Sequence, residues 1–276
     1  MRIEQLGDGD PEIAVVGGIH GDEPCGVRAI EHLLDARPAV DRPVKCIVAN
    51  ERALERDVRY TDADLNRVFP GDPDSDPHEE RLAAALLAEL RGCTTLSMHS
   101  TQSYTGSFAV VAEGTLTLAR SVCPYLTLDA AVDASAFTEG RLIEHAPVIE
   151  VECGYQRSNE ATENATRIAE EFLGALGALA GSEPHSAGVP LYRLTHLIPK
   201  SRAEAYDVPA TNFERVAAGE TYATVDGEEL VAEEPFYPVL MSPYGYENEF
   251  GYGAEPAGRL GGTTAGDERD RSEYPG

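Results

Sequence analysis

His20 and Glu23 stand three residues apart in the stretch Val15-Val16-Gly17-Gly18-Ile19-His20-Gly21-Asp22-Glu23-Pro24. An imidazole and a carboxylate at this spacing, framed by glycines that let the backbone come close, suit a divalent metal, zinc first. Such a pair occurs often by chance, so its weight depends on what else can join it. His99 follows the predicted strand Thr94-Thr95-Leu96-Ser97-Met98 and completes a set of two histidines and one carboxylate. That set leaves a coordination position open for water, as a hydrolytic zinc requires. Taken alone, His99 would read as a buried core histidine. Its placement beside His20 and Glu23 is what changes that.

These residues can meet only if the chain brings the ends of separate strands together. Four predicted strands end in residues able to do chemistry: His20, Asn50, His99 and Glu152. In a parallel sheet the carboxyl ends of the strands share one edge, where ligands bind. Strands are predicted over 2–6, 12–18, 44–49, 94–98, 108–111 and 148–151. Helical patterns follow from Pro24, from about Glu79 and over 161–179, with Asp22 expected as the cap of the first. The alternation predicts an α/β fold, a mostly parallel or mixed sheet flanked by helices. After a linker at 181–188, the runs 221–225 and 229–232 around Asp226-Gly227 predict a hairpin in a small C-terminal β domain. The expected division is a catalytic domain over 1–185, a small β domain over 186–252 covering the active site, and a disordered tail over 253–276, which is rich in Gly, Pro and charge without apolar period.

The net charge is −26, with only Lys45 and Lys200 against twenty arginines. That field opposes binding to nucleic acid or to an anionic membrane. A lysine-poor acidic surface is also what adaptation to high salt produces, so a halophilic source is expected. Cys25, Cys46, Cys93, Cys123 and Cys153 are odd in number and contain no CxxC pair, which favours reduced, partly buried thiols. No apolar run approaches a membrane span, and no apolar stretch follows Arg2 as a signal peptide would need. A cytoplasmic location is the expectation.

Between strand and helix lies Arg59-Tyr60-Thr61-Asp62-Ala63-Asp64-Leu65-Asn66-Arg67-Val68-Phe69-Pro70-Gly71. Leu65, Val68 and Phe69 require this segment to pack. Its guanidinium groups could bind a carboxylate in bidentate fashion or polarise a carbonyl. The motifs His20-Gly21-Asp22-Glu23, Arg59-Tyr60, Asp64-Leu65-Asn66-Arg67, His99 and Glu152-Cys153-Gly154, in this order, resemble the succinylglutamate desuccinylase/aspartoacylase family, relatives of the zinc carboxypeptidases.

The resemblance spans roughly residues 12–250. It implies one zinc per chain on His20, Glu23 and His99, and carbonyl polarisation by Arg59. It also implies a substrate carboxylate held by Asn66 and Arg67, and Glu152 as general base. Glu150, two residues earlier on the same strand face, competes for the last role. Arg141 is implied to bind the α-carboxylate. Tyr246, with Tyr244 as neighbour, is implied to close the pocket. The chain departs from the aspartoacylase pattern after Gly154, where Tyr155-Gln156-Arg157 stands in place of a proline. That bears on substrate identity more than on mechanism. The implied activity is hydrolysis of an N-acyl amino acid, a small-molecule substrate. The alternatives are a metallocarboxypeptidase acting on short peptides and a metal-free binding protein on the same fold.

Overall fold

The computed structural model describes residues 1–181, 183–185 and 187–261. The expected tail beyond residue 261 lies outside them. The first half of the chain alternates strand and helix: β1 (Arg2–Leu6), β2 (Ile13–Gly17), α1 (Cys25–Ala36), β3 (Val44–Val48), α2 (Glu51–Glu55), α3 (His78–Glu89) and β4 (Thr94–Thr101). Then come β5 (Phe108–Val111), α4 (Leu116–Val122), β6 (Ala130–Asp133), β7 (Val148–Tyr155) and α5 (Asn159–Ala175). The remainder is β-rich: β8 (Val189–Pro199), β9 (Tyr206–Asp207), β10 (Thr221–Val225), β11 (Glu228–Val231), β12 (Tyr237–Val239) and β13 (Glu249–Leu260).

Ten strands form one mixed sheet in the order β1-β3-β2-β4-β7-β5-β6-β8-β13-β12. The β3, β2, β4 and β7 strands at its centre are mutually parallel. Every residue of β2 is buried, as a strand covered on both faces must be. Its side chains alternate between two cores. Ile13 and Val15 pack with α1 and α5 on one face, while Ala14 and Val16 pack with α3 on the other. Gly17 and Gly21 permit close backbone approach: a Cβ would lie 2.5 Å from the carbonyl carbon of Gly26 in the first case and 2.1 Å from that of Ala53 in the second. The five cysteines are buried thiols, and among the described residues no helix is long and apolar enough to cross a membrane.

Two sequence expectations are corrected. Asp22 does not cap α1: the helix starts at Cys25 with Pro24 in the cap position and no side-chain cap. A tight turn, Glu23 N–H to His20 carbonyl at 3.3 Å, separates Asp22 from the helix end. Residues 253–260, expected in the tail, continue β13 and pair with β8. The register of β13 against β8 shifts at Glu249/Gly251, Gly253/Ala254 and Pro256/Gly258. The Gly and Pro content that looked like disorder is absorbed as bulges in a long strand. The Asp226-Gly227 turn joins β10 and β11, which with β9 make a separate three-stranded antiparallel sheet.

Candidate active site

The ends of β2, β4 and β7 open into one cavity. His20 follows β2, while His99 and Glu152 stand opposite each other on β4 and β7. Glu23 lies between the two imidazoles. Its Oε1 is 2.9 Å from His20 Nδ1 and its Oε2 3.1 Å from His99 Nδ1. The three side chains are buried, and their ligand atoms lie within 4.8 Å of one another. The outer nitrogen of each ring is also held. His20 Nε2 meets Asp64 Oδ1 at 3.1 Å, and His99 Nε2 meets Ser97 Oγ at 3.1 Å. Outer-nitrogen partners of this kind fix ring orientation and present the other nitrogen to a metal. The donor set therefore fits a divalent cation such as zinc. Its electrostatics agree. Burial alone would lower both imidazoles, but Glu23 outweighs it and raises each above the ordinary range, with Asp64 adding to the effect at His20. The pocket favours positive charge at this point.

Asp64 and Arg59 extend the same knot. Arg59 donates from Nε to Asp64 Oδ2 at 2.9 Å and from Nη1 to Glu23 Oε1 at 3.1 Å. The segment carrying both residues has little regular structure, and a buried carboxylate holds it in place. Glu79, fully buried in the first turn of α3, accepts from the backbone N–H groups of Thr61, Asp62 and Ala63 and from the Thr61 hydroxyl. Asn50 also donates to it at 3.2 Å, while capping α2 through its own oxygen. Burial pushes the Glu79 carboxyl up. The donors from Thr61, Asn50 and Ala63 overcome that and hold it at about 2. The Asn50 strand end thus serves this anchor and not the metal set.

The far wall is less tied down. Asn66 donates to Glu150 Oε1 at 3.2 Å and accepts from Leu142 N–H at 2.9 Å, so most of its amide is committed within the protein. Arg67 donates to the Asn66 carbonyl at 2.7 Å, and Arg141 donates to the Tyr252 hydroxyl at 3.3 Å. Neither has a carboxylate partner among the described residues. Burial lowers the Arg67 pKa, and repulsion from Arg141 adds to this. Glu152 Oε2 is sealed from solvent without a hydrogen bond. Burial, with repulsion from Glu23 and Glu150 against attraction from His99, pushes its carboxyl up to about 8.

Tyr246 lines the cavity, whereas Tyr244 is 62% exposed and takes a hydrogen bond from Tyr206 N–H. The loop bearing Tyr246 is pinned by Lys200, whose Nζ donates to the carbonyls of Pro243 and Tyr246 and lies 4.9 Å from the Tyr206 ring centre.

His20, Glu23, Arg59, Asn66, Arg67, His99, Arg141, Glu152 and Tyr246 all line this cavity, and so does Glu150. Sequence reasoning assigned no role to Asp64, Glu79 or Lys200. Asp64 could have been found from its place in the Asp64-Leu65-Asn66-Arg67 motif. Nothing in the local pattern of Glu79 or Lys200 marks them, since each acts on backbone groups far along the chain.

Residues 9–109 match the family model described as Succinylglutamate desuccinylase/Aspartoacylase catalytic domain. The resemblance read from the motifs holds over this stretch. Aspartoacylase of Rattus norvegicus is 46% identical over 61 residues, 21% of this chain and 20% of that protein. The N-acyl-aromatic-L-amino acid amidohydrolase (carboxylate-forming) of Mus musculus is 34% identical over 131 residues, 41% of each. The chain thus spans well under half the length of these curated relatives in alignment. A succinylglutamate desuccinylase/aspartoacylase structure from Rhodobacter sphaeroides superposes with a TM-score of 0.75 at 22% identity, covering 92% of this chain and 88% of that one. This likeness shows the fold: a mixed sheet flanked by helices with a small C-terminal sheet.

Proposed function

We propose that the chain is a zinc-dependent hydrolase that cleaves the amide bond of an N-acyl amino acid, with one zinc per chain held by His20, Glu23 and His99. One observation carries this reading: a buried set of two histidines and a carboxylate shares its cavity with an unpartnered carboxylate and two guanidinium groups that form no ion pair among the described residues. The names of the curated relatives, an aspartoacylase and an N-acyl-aromatic-L-amino acid amidohydrolase, support the same reaction class.

Zinc at this site supplies Lewis acidity toward water and a carbonyl oxygen. The chain's own residues do the rest. Glu152, whose Oε2 is sealed from solvent without a hydrogen bond, takes a proton from the attacking water and returns it to the departing nitrogen. Arg59, fixed by Asp64 and Glu23, faces the negative charge that grows on the carbonyl oxygen. Arg67 and Arg141 hold a substrate carboxylate, and Tyr246 closes over it. Asn66 supports this wall through Glu150 and its remaining N–H.

A hydrolysis screen at high salt over N-acetyl amino acids, N-succinyl-glutamate and short peptides tests the proposal. Release of a free amino acid from an N-acyl amino acid is expected. Cleavage of peptides alone would make the chain a carboxypeptidase. Absence of both bound zinc and turnover of any substrate would make it a metal-free binding protein.

A further inference from the structure

Two side chains of the turn after β7 reach back to the loops that carry the metal set and Arg59. Gln156 lies four residues beyond Glu152. Its backbone N–H donates to the Thr101 carbonyl at the end of β4, at 2.8 Å. Its Nε2 donates to the Asp22 carbonyl at 3.1 Å, and its Oε1 accepts from Gln102 Nε2 at 2.9 Å. Arg157, next in the chain, donates to Asp57 Oδ1 at 2.8 Å, two residues before Arg59. Arg157 and Asp57 both lie in the left-handed region, at φ 65° and 53°, which residues with a side chain seldom adopt. Their ion pair is exposed on both sides and adds little by itself. The contact of Gln156 with Asp22 is partly buried and carries more weight.

Asp22 stands between His20 and Glu23, ahead of the first residue of α1. Among the described residues no backbone N–H donates to its carbonyl, and its Oδ1 is buried without a partner. Gln156 Nε2 supplies the donor that a peptide carbonyl requires. The flanking N–H groups of Gly21 and Glu23 are held only by longer bonds, to the carbonyls of Arg59 and His20 at 3.2 and 3.3 Å. We infer that Gln156 is a positioning residue, which holds the metal loop against the strand that carries Glu152 and so fixes the metal set relative to the base. The inference rests on the metal site and the hydrolase reading proposed above. The departure from the aspartoacylase pattern at Tyr155-Gln156-Arg157 was expected to bear on substrate identity. With its amide engaged at both ends by the protein, Gln156 acts on the metal loop instead.

The test replaces Gln156 in two ways. Gln156→Met keeps the length and drops the hydrogen bonds, while Gln156→Asn stays polar but withdraws the donor by one methylene. Zinc-loaded chains are mixed with excess chromophoric chelator and the loss of zinc is timed. Removing a partner that orients metal ligands costs roughly 10- to 100-fold in metal affinity. Zinc should therefore leave both variants about 10-fold faster than wild type. The urea midpoint of the metal-free chains should stay at the wild-type value, which separates this role from a general loss of stability. On a substrate found by the hydrolysis screen, at saturating zinc, kcat should fall by about 10-fold with KM little changed, because base and metal are misaligned while the arginine wall is intact. The ratio of kcat/KM between two N-acyl amino acids should not move.

Zinc loss at the wild-type rate from both variants overturns the inference, as does faster loss accompanied by a lower urea midpoint of the metal-free chain. A shifted substrate preference with zinc retention unchanged would make Gln156 a substrate contact and also overturn it. A wild-type chain that takes up no zinc would remove the metal reading and this role with it. Zinc lost at the expected rates, with no N-acyl amino acid hydrolysed, would overturn the hydrolase reading and leave the positioning of the metal loop standing.

Discussion

The two walls of the cavity are built on different terms. On the side of β2 and the segment after α2, the metal-site groups and their supports are paired, while Asp22 Oδ1 is buried without a partner. Glu23 joins both imidazoles and Arg59, and Asp64 joins His20 and Arg59. Glu79 holds the backbone of that segment through three N–H groups. On the other side Arg67, Arg141, Glu150 and Glu152 have few partners or none, and the charges stand open. A prearranged wall suits a group that stays, such as a metal ion. An unsatisfied wall suits one that comes and goes, because a substrate can supply the missing partners at each turnover.

Substitutions on the two walls should therefore fail in different ways. The largest effect is expected from Glu152→Gln, which keeps shape but cannot accept a proton. Its kcat should fall by roughly 10²–10⁴ while zinc stays bound. Near-normal turnover there, with Glu150→Gln dead, would move the base to Glu150.

Arg59 and Arg67 divide the comparison further. Arg59→Ala should lower kcat by about 10²-fold, because the charge it faces appears only during attack. Arg67→Ala should act mainly on KM, raising it by roughly 10- to 100-fold, since a substrate carboxylate is present equally in the ground and transition states. Reversed signatures in steady-state kinetics would exchange their roles.

Glu79→Gln strikes the fixed wall from behind. It sets an amide N–H against backbone donors and should cost about 2 kcal/mol of stability, measured by urea denaturation. The folded Glu79 carboxyl is held at about 2 against an ordinary value of 4.5. Its contribution is thus complete above pH 4.5 and is lost as pH falls toward 2. The stability difference between wild type and Glu79→Gln should shrink over that window. A constant difference would remove the charge from the explanation.

The smallest and most general effect is that of salt. With a net charge of −26, the melting temperature should rise as sodium or potassium chloride approaches molar levels, because screening relieves self-repulsion. A flat or falling profile would count against the halophilic reading.

The sheet and its helices were legible because strand burial and helix period leave regular apolar patterns. The strand ends that meet in the cavity followed from the rule that parallel strands share a carboxyl edge. His20 and His99 were readable for the same reason, and Glu23 from its spacing to His20. What escaped depended on partners distant in sequence. Glu79 looks like any acidic residue opening a helix, and only the folded chain shows Thr61, Asp62 and Ala63 turned toward it. Lys200 is one of two lysines, yet its work is done on carbonyls of Pro243 and Tyr246 more than forty positions away. Residues 253–260 misled because glycine and proline signal disorder as readily as they signal a bulged strand.

The central claim, that the fixed wall is a metal site, is tested most directly by counting zinc. Elemental analysis of purified protein should find about one zinc per chain, and His99→Ala should lose most of it while remaining folded by circular dichroism. Full occupancy in folded His99→Ala, or no zinc in wild type after exposure to equimolar metal, would contradict the account.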